Sequence, residues 1–434
     1  MDSALVKQLY TEIDRWPIYD PHTHIRPQHS TAHSIADILS YHYYTELVNA
    51  AEYQPCGFPL DQPRRFTQML LQKLHLICNT VQYDWLMALC ETLYGIPRQD
   101  WQAGNADRIF DRAQETIDAT DYWQQVVAKG NIKRVFLTNS YDDDFTGVDT
   151  RFYTPCLRVD PFMEYAFRPA EWGRLSAFAG TDARTISGFG QALDQAFARF
   201  AGLGMAYAAL STPPNLQTRP VPDEQAASVL DKAVAGGTLS EADRALWAAY
   251  GINQVADRCR RYQVPFHLMI GVNRSVYEQG VPSGTDLFDA VNSLRGYDYL
   301  FNHYPDVRFP TSVLADTSGL ELTAAAWIRH NVFPSGHWWY SNQPTDIARE
   351  LERRLNAVPW TKCIGYYSDA YYLEFVFPKF RMYKFELAKA LAARIEISQV
   401  HPNMSPLSVD GALELAHAFL IGNLERVFRL KLAD

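Results

Sequence analysis

Two histidines separated by one residue, His22 and His24, follow an apolar run that is typical of a β-strand near the start of the chain. Side chains at alternate positions of a strand point to the same side, so both imidazoles can bind one metal ion. A second strand-like segment, far along the chain, ends in Asp369, whose carboxylate can supply a third ligand. The three residues predict a site for one divalent metal ion, with Zn²⁺ favoured and Mn²⁺ or Fe²⁺ as alternatives.

Eight short apolar segments with the composition of β-strands recur along the chain, and most are separated by amphipathic segments long enough for a helix. They span residues 17–24, 132–139, 152–159, 205–211, 264–271, 307–315, 331–335 and 362–368. This alternation predicts an α/β fold with a parallel sheet, and eight units favour a closed, TIM-like (β/α)8 barrel. An open, doubly wound sheet is the alternative. The barrel is preferred because only a closed sheet makes the first strand, with its two histidines, a neighbour of the last.

The domain organisation is predicted from the length of the chain and the uneven spacing of its strands. At 434 residues the chain is within the range of a single elaborated barrel, so we expect one domain over residues 1–434. About 107 residues separate the first two predicted strands. We expect a mainly helical insertion there, at about residues 30–130, which covers the C-terminal ends of the strands.

Composition and charge limit the kinds of molecule that this protein is expected to bind. The formal net charge of −9 argues against non-specific binding to nucleic acid, which needs a concentrated basic surface. The six cysteines are scattered and predict reduced thiols, and no apolar run approaches the ~18 residues of a membrane-spanning helix. We therefore expect a soluble cytoplasmic protein that acts on a small molecule. A homo-oligomer is compatible with the sequence.

Several further motifs follow in an order and at a spacing that resemble the uronate isomerase (glucuronate isomerase) family of the amidohydrolase superfamily. They are Asp-Pro-His-Thr-His at 20–24, Ile-Leu-Ser-Tyr-His-Tyr-Tyr at 38–44, Cys-Leu-Arg-Val-Asp-Pro at 156–161, Phe-His-Leu-Met-Ile-Gly at 266–271, Gly-His-Trp-Trp-Tyr at 336–340 and Gly-Tyr-Tyr-Ser-Asp at 365–369. The resemblance implies a metal-dependent aldose–ketose isomerase. Its substrate would be a hexuronic acid such as glucuronate or galacturonate, and a proton would move from C2 to C1.

The resemblance also implies catalytic roles for three residues. His42 and Tyr43 would reach back from the insertion over the metal, where Tyr43 could donate a hydrogen bond to a substrate oxygen or shuttle a proton. Asp369 would serve both as a metal ligand and as the base. The alternative for His42 and Tyr43 is a helix face that only packs on the mouth of the barrel.

Five more residues are candidates for binding the substrate. Arg158 would clamp the carboxylate of a uronic acid, with Asp160 beside it, unless the two form only a structural pair at a strand end. His267 is a further ligand, a hydrogen-bond donor behind the ligands, or a core histidine. Trp338 and Trp339 offer aromatic faces that suit a sugar ring, or belong to the core.

Three departures from related metal enzymes bear on the reaction. The fourth predicted strand lacks a terminal lysine that could bridge two metals, and the sixth ends in Asp316 where many relatives have histidine, so a single-metal site is expected. Tyr371 stands two residues after Asp369, where the isomerases have arginine. That change leaves open a mononuclear metal-dependent hydrolase or lyase acting on a sugar lactone or related acid. A catalytically silent protein that binds sugar acids is a third reading, which the three retained metal ligands disfavour.

Overall fold

The structure is a computed structural model that describes residues 3–52 and 56–432. Its strands are β1 Ile18–Asp20, β2 Ile132–Phe136, β3 Tyr153–Thr154, β4 Leu157–Arg158, β5 Ala208–Thr212, β6 Phe266–Ile270, β7 Val272–Asn273, β8 Leu287–Phe288, β9 Phe309–Val313 and β10 Val332–Pro334. Its α-helices are α1 Ser3–Asp14, α2 Ile35–Leu39, α3 His42–Ala51, α4 Pro63–Lys73, α5 Val81–Tyr94, α6 Ala106–Ile117, α7 Tyr122–Gly130, α8 Asp160–Met163, α9 Pro169–Ala179, α10 Ile186–Gly202, α11 Asp223–Val234, α12 Glu241–Tyr262, α13 Asp298–His303, α14 Asp316–Ile328, α15 Pro344–Ala357, α16 Val376–Val400, α17 Val409–His417 and α18 Asn423–Phe428.

Parallel strands form the centre of the fold, and helices connect them. One sheet has the order β1-β2-β3 and a second has the order β10-β9-β6-β5-β4, with every neighbouring pair parallel. A parallel bridge between Asn139 and Leu157 joins the two sheets. The strands β7 and β8 form a separate antiparallel ribbon that the sequence did not predict. The predicted α/β class with a parallel sheet is confirmed.

The eighth predicted strand, at 362–368, differs from the other seven. Among the described residues it holds a single parallel bridge, from Ile364 to Ser335, and no assigned strand. Its backbone N–H groups find partners outside a ladder, because Gly365 donates to the carbonyl of Phe419 and Ser368 donates to the Asp20 carboxylate. Buried N–H groups need a partner but not a regular one, so the segment is extended without forming a strand.

Local sequence signals fix the ends of α12. The Ser240 hydroxyl accepts a hydrogen bond from the Asp243 N–H at 3.2 Å, and the Asp243 carboxylate accepts one from the Ser240 N–H at 2.8 Å. This is the reciprocal capping box that the Ser-x-x-Asp spacing predicts. The helix ends at Gln263, whose φ of 54° is left-handed. Both ends of α12 therefore follow from residues at or beside them.

The long helix α16 runs through the hydrophobic core and packs against α1, α5 and α15. It begins seven residues after Asp369 and carries a fully buried lysine, Lys379. In the described part of the chain, six α-helices, α2 to α7, lie between β1 and β2. Among the described helices, none is long and apolar enough to cross a membrane.

Candidate active site

His22 and His24 lie in an extended segment immediately after β1 and face Asp369. The Nε2 atoms of His22 and His24 are 3.5 Å and 3.3 Å from Oδ1 of Asp369. Backbone bonds hold the segment on both sides, since the Thr23 N–H donates to the Phe136 carbonyl and the His24 N–H to the Ala370 carbonyl, both at 2.8 Å. One ligand atom from each of the two histidines and the aspartate lies within 4.8 Å of the others.

The proton on His22 can be assigned from its partners. The Tyr207 hydroxyl has one proton and donates it to the Pro21 carbonyl at 2.8 Å. It must therefore accept the hydrogen bond from Nδ1 of His22, at 3.0 Å. This places the imidazole proton on Nδ1 and leaves a lone pair on Nε2, the nitrogen that faces Asp369. A histidine that binds a metal usually donates its other ring N–H in this way.

The three side chains fit a metal ion because they bring together buried acceptor atoms, two of which receive no hydrogen bond from the described residues. Nε2 of His22 and Oδ1 of Asp369 are both buried without a hydrogen-bond partner among the described residues. Burial would raise the pKa of Asp369, but the adjacent His24 outweighs it and holds that pKa well below its usual range. Burial lowers the pKa of His22, and the charge of His24 lowers it further. A neutral imidazole beside an ionised carboxylate is the protonation state of a metal ligand set.

The backbone of Asp369 is held in an uncommon conformation. Its φ is 56°, in the left-handed region, and its N–H donates to the His22 carbonyl at 3.2 Å. The preceding Ser368 donates its N–H at 3.0 Å and its hydroxyl to Asp20, while its carbonyl accepts from Lys379 at 2.9 Å. Asp20 is fully buried, and burial raises its pKa to about 7 although the Ser368 hydrogen bonds oppose that rise. Such a conformation persists where the surroundings fix it from several sides.

A cavity of about 260 Å³ opens in front of Asp369 and receives most of the predicted site residues. His24, His42, Tyr43, Arg158, Trp338, Trp339 and Asp369 all line it, whereas the structure places His22, Asp160 and His267 behind its wall. His42 and Tyr43 reach it from the start of α3. Burial lowers the pKa of His42 to about 4, so its imidazole is neutral, and the Tyr43 hydroxyl is buried with no partner among the described residues.

Arg158 lines the cavity and is also paired with Asp160. Its Nε and Nη2 atoms donate to the two carboxylate oxygens of Asp160 at 3.1 Å and 3.3 Å. Asp160 in turn accepts the Ser211 N–H at 3.3 Å. The Arg158 side chain is 40% exposed, so the pairing orients the guanidinium and leaves Nη1, which has no hydrogen bond to the described residues, available to a ligand. Arg158 can therefore pair with Asp160 and bind a ligand at the same time.

His267 lies on β6 behind His22, not in the cavity wall. Its ring centroid is 5.5 Å from that of His22, and its Nε2 is 3.4 Å from the Ser312 hydroxyl. Burial lowers its pKa to about 3, so the ring is neutral. The two tryptophans do reach the cavity, with ring centroids 5.9 Å apart and an interplanar angle of 42°. Trp339 has a left-handed φ of 51°.

Seven of the residues that line the cavity were not predicted to be part of the site, and two of them, Arg274 and Tyr371, lie close to the charged groups. Arg274 directly follows β7 and pairs with Asp286 at 2.7 Å. The sequence carried a signal for Arg274, a cation just after a strand. The predicted strand ended at Gly271, so Arg274 was not placed at a strand end. Tyr371 was noted only as a departure from the family. Its ring lies 5.1 Å from that of His24, and it lines both this cavity and a neighbouring one of about 1100 Å³.

Comparison with known proteins is informative over nearly the full length of the chain, although no protein family model matches it. The uronate isomerase of Cutibacterium acnes is 23% identical over 470 aligned positions, which cover 98% of this chain and 96% of that protein. The chain is similar to uronate isomerases from end to end. The resemblance that the motifs predicted is confirmed.

Solved structures of other proteins share the fold. The uronate isomerase of Thermotoga maritima matches with a TM-score of 0.88 at 17% identity, covering 99% of this chain and 98% of that one. The glucuronate isomerase of Caulobacter crescentus matches with a TM-score of 0.88 at 16% identity, covering 99% and 94%. The fold has therefore been kept while most of the sequence differs.

Proposed function

We propose that this protein is an aldose–ketose isomerase that acts on a hexuronic acid of the glucuronate or galacturonate type. The observation that carries the proposal is a single cavity that joins an ionised carboxylate beside two histidines, a guanidinium and a phenol with no hydrogen-bond partner among the described residues. These groups belong to Asp369, Arg158 and Tyr43. Similarity to uronate isomerases along almost the whole chain supports the choice of substrate class.

His22, His24 and Asp369 would hold one divalent metal ion. Bound there, the ion would supply Lewis-acid polarisation of the substrate oxygens. We favour Zn²⁺, because two imidazoles and a carboxylate form a common zinc set, and Mn²⁺ or Fe²⁺ are the alternatives.

The isomerisation moves one proton between carbons and one between oxygens. Asp369 would accept the proton that leaves C2 and return it to C1, and its depressed pKa keeps the carboxylate ionised for the first step. The hydroxyl proton on O2 must reach O1 as the carbonyl moves to C2. Tyr43, with His42 beside it, would donate to the oxygen that becomes negative in the enediol stage and relay this proton.

Arg158 would bind the carboxylate at the far end of the sugar and so fix C1 and C2 in front of Asp369. Its Asp160 partner restrains the guanidinium before the substrate arrives. Trp338 and Trp339 would pack against the carbon skeleton. The neutral state of His42 leaves its ring free to accept or donate a hydrogen bond.

We also propose that the parallel sheet closes into a (β/α)8 barrel within one domain, residues 1–434, with the helices of about residues 30–130 as an insertion. Support comes from the bridge between Ser335 and Ile364 and from the backbone bonds that join the last extended segment to the first. These bonds are Asp369 N–H to the His22 carbonyl and His24 N–H to the Ala370 carbonyl.

Incubation of the metal-loaded protein with a panel of hexuronates in deuterated water, followed by NMR of C1 and C2, tests the function. We expect a ketose from at least one hexuronate, and we expect Asp369→Asn to abolish it while Asp61→Asn, at an exposed position, does not. A panel of sugar lactones, tested under the same conditions, shows whether the protein is a hydrolase instead. Lactone opening with no ketose from any hexuronate would assign the protein to the hydrolases instead.

A further inference from the structure

A second guanidinium reaches the cavity from the ribbon of β7 and β8. Arg274 directly follows β7 and lines the same cavity of about 260 Å³ as Arg158 and Asp369. It faces Asp286 across the antiparallel ribbon, and its Nη1 donates to that carboxylate at 2.7 Å. The roles assigned to Asp369, Tyr43 and Arg158 do not use this charge, so its place in the cavity needs another explanation.

Several contacts hold the ribbon that carries Arg274. The Asp286 carboxylate also accepts the N–H of Ser275, at 2.8 Å, and Ser275 has a left-handed φ of 55°. The hydroxyl of Tyr340 donates to the Asp286 carbonyl at 3.2 Å, and the ring centroids of Tyr340 and Phe288 are 5.8 Å apart. Tyr340 directly follows the two tryptophans of the cavity wall. The ribbon is therefore anchored to the segment that carries them, and Arg274 has a fixed support.

The ion pair uses only one nitrogen of the Arg274 guanidinium. Nη1 bonds to Asp286, whereas Nε and Nη2 make no hydrogen bond to the described residues. The Nε–H and one Nη2–H of an arginine are parallel and form a planar fork that matches a carboxylate. In Arg158 this fork is already taken by Asp160. Of the two arginines that line the cavity, Arg274 is therefore the one that has the fork available.

The two guanidiniums also act on one neighbouring carboxylate, that of Glu164 at the end of α8. Burial raises the pKa of Glu164, and the charges of Arg168, Arg274 and Arg158 oppose that rise. Coulomb interactions weaken with distance, so Arg274 and Arg158 lie in the same region of the cavity wall. An anion that enters the cavity therefore meets two positive charges.

We propose that Arg274 is a second substrate-binding residue, whose fork receives the carboxylate of the sugar acid together with Nη1 of Arg158. An ionised carboxylate has about four acceptor positions, so one guanidinium does not exhaust it. Each arginine also keeps its own aspartate, and neither charge is unpaired before the substrate arrives. The inference rests on the proposed function for the class of substrate.

The kinetic test uses Arg274→Gln, which removes both the charge and the fork, with Arg184→Gln as the matched control. Arg184 also pairs with an aspartate, and the exposed fractions of the two side chains are 54% and 51%, but Arg184 does not line the cavity. With metal-loaded protein and a hexuronate that the wild type converts, we expect Arg274→Gln to lower kcat/KM by about 10- to 100-fold. Arg274→Lys should lose most of the same activity, because an ammonium has no fork. Arg184→Gln should match the wild type, and metal content should be the same in all four proteins.

A second measurement does not depend on turnover. D-gluconate has a carboxylate on a polyol chain but no aldehyde, so it cannot isomerise. By calorimetry on the metal-loaded protein we expect its Kd to rise about tenfold in Arg274→Gln and to stay within about twofold of wild type in Arg184→Gln. If Arg274 only held the ribbon together through its ion pair, Asp286→Asn would raise the Kd as much as Arg274→Gln does. We expect the rise in Arg274→Gln to be about fivefold larger.

Equal gluconate affinities in Arg274→Gln and Arg184→Gln would overturn the assignment. So would equal losses in Asp286→Asn and Arg274→Gln, or a wild type that binds no gluconate. A wild type that binds gluconate but forms no ketose would refute the proposed function alone, and the calorimetry would still decide whether Arg274 binds a sugar acid.

Discussion

Replacing Tyr207 by phenylalanine should weaken metal binding, because the change removes the group that orients His22. In the structure Nδ1 of His22 donates to the Tyr207 oxygen at 3.0 Å, and both side chains are fully buried. With a metal on Nε2, the ring proton must stay on Nδ1. Without the phenol, that N–H has no other acceptor among the described residues.

Removing the Tyr207 hydroxyl raises the free energy of the metal-bound state more than that of the metal-free state. In the metal-free variant the His22 proton can move to Nε2, which lies 3.5 Å from Oδ1 of Asp369, and so it still has an acceptor. In the bound state a buried N–H is left unsatisfied, which costs about 1–3 kcal/mol. Loss of such a partner behind a metal ligand typically lowers affinity by about 10- to 100-fold. The two estimates agree, since each tenfold change is about 1.4 kcal/mol.

Competition with a chromophoric chelator measures the Zn²⁺ affinity of each variant. Tyr367→Phe is the matched control: its ring centroid lies 5.2 Å from that of His22, but its hydroxyl donates to Ser312 at 2.8 Å. We expect the affinity to fall in Tyr207→Phe and to stay within about twofold of wild type in Tyr367→Phe. Equal affinities for Tyr207→Phe and wild type would refute the assignment of the Nδ1 proton. A wild type that binds no metal would refute the site.

Two further predictions concern recognition and stability. Arg158→Lys keeps the charge but loses the planar fork, so uronate kcat/KM should fall about tenfold, about 1.4 kcal/mol, with neutral aldoses unaffected; equal effects on both would exclude a carboxylate clamp. Burial raises the pKa of Glu374 to about 7 from 4.5, so the stability that this group contributes is present below pH 4.5 and is lost as the pH rises through 7. Relative to Glu374→Gln, whose amide oxygen can still accept from Ala32 and Tyr122, the wild type should lose about 2–3 kcal/mol of unfolding free energy between pH 5 and 8. Urea denaturation at several pH values measures the unfolding free energy of both proteins. The same pH dependence in the wild type and in Glu374→Gln would contradict the prediction.

The sequence by itself determined the features that depend on local pattern. The His-x-His spacing places both imidazoles on one side of an extended segment, and the Ser-x-x-Asp spacing starts α12 where the capping box lies. Alternation of apolar and amphipathic segments was enough for the α/β class with parallel strands. These properties follow from the backbone and from burial over a few residues, which neighbouring side chains encode.

Only the tertiary structure decided which distant groups meet. Tyr207 reaches His22 across 185 positions of the chain, and Lys379 reaches Tyr41 across 338. Lys379 lies in the first turn of α16, among several other charged residues of that helix, and carries no local sign of a partner, because the partner comes close only after the core has packed. The left-handed φ of Asp369 has the same origin. Its neighbours are held by Asp20 and Lys379, from opposite ends of the chain, and such convergence depends on how the whole chain packs.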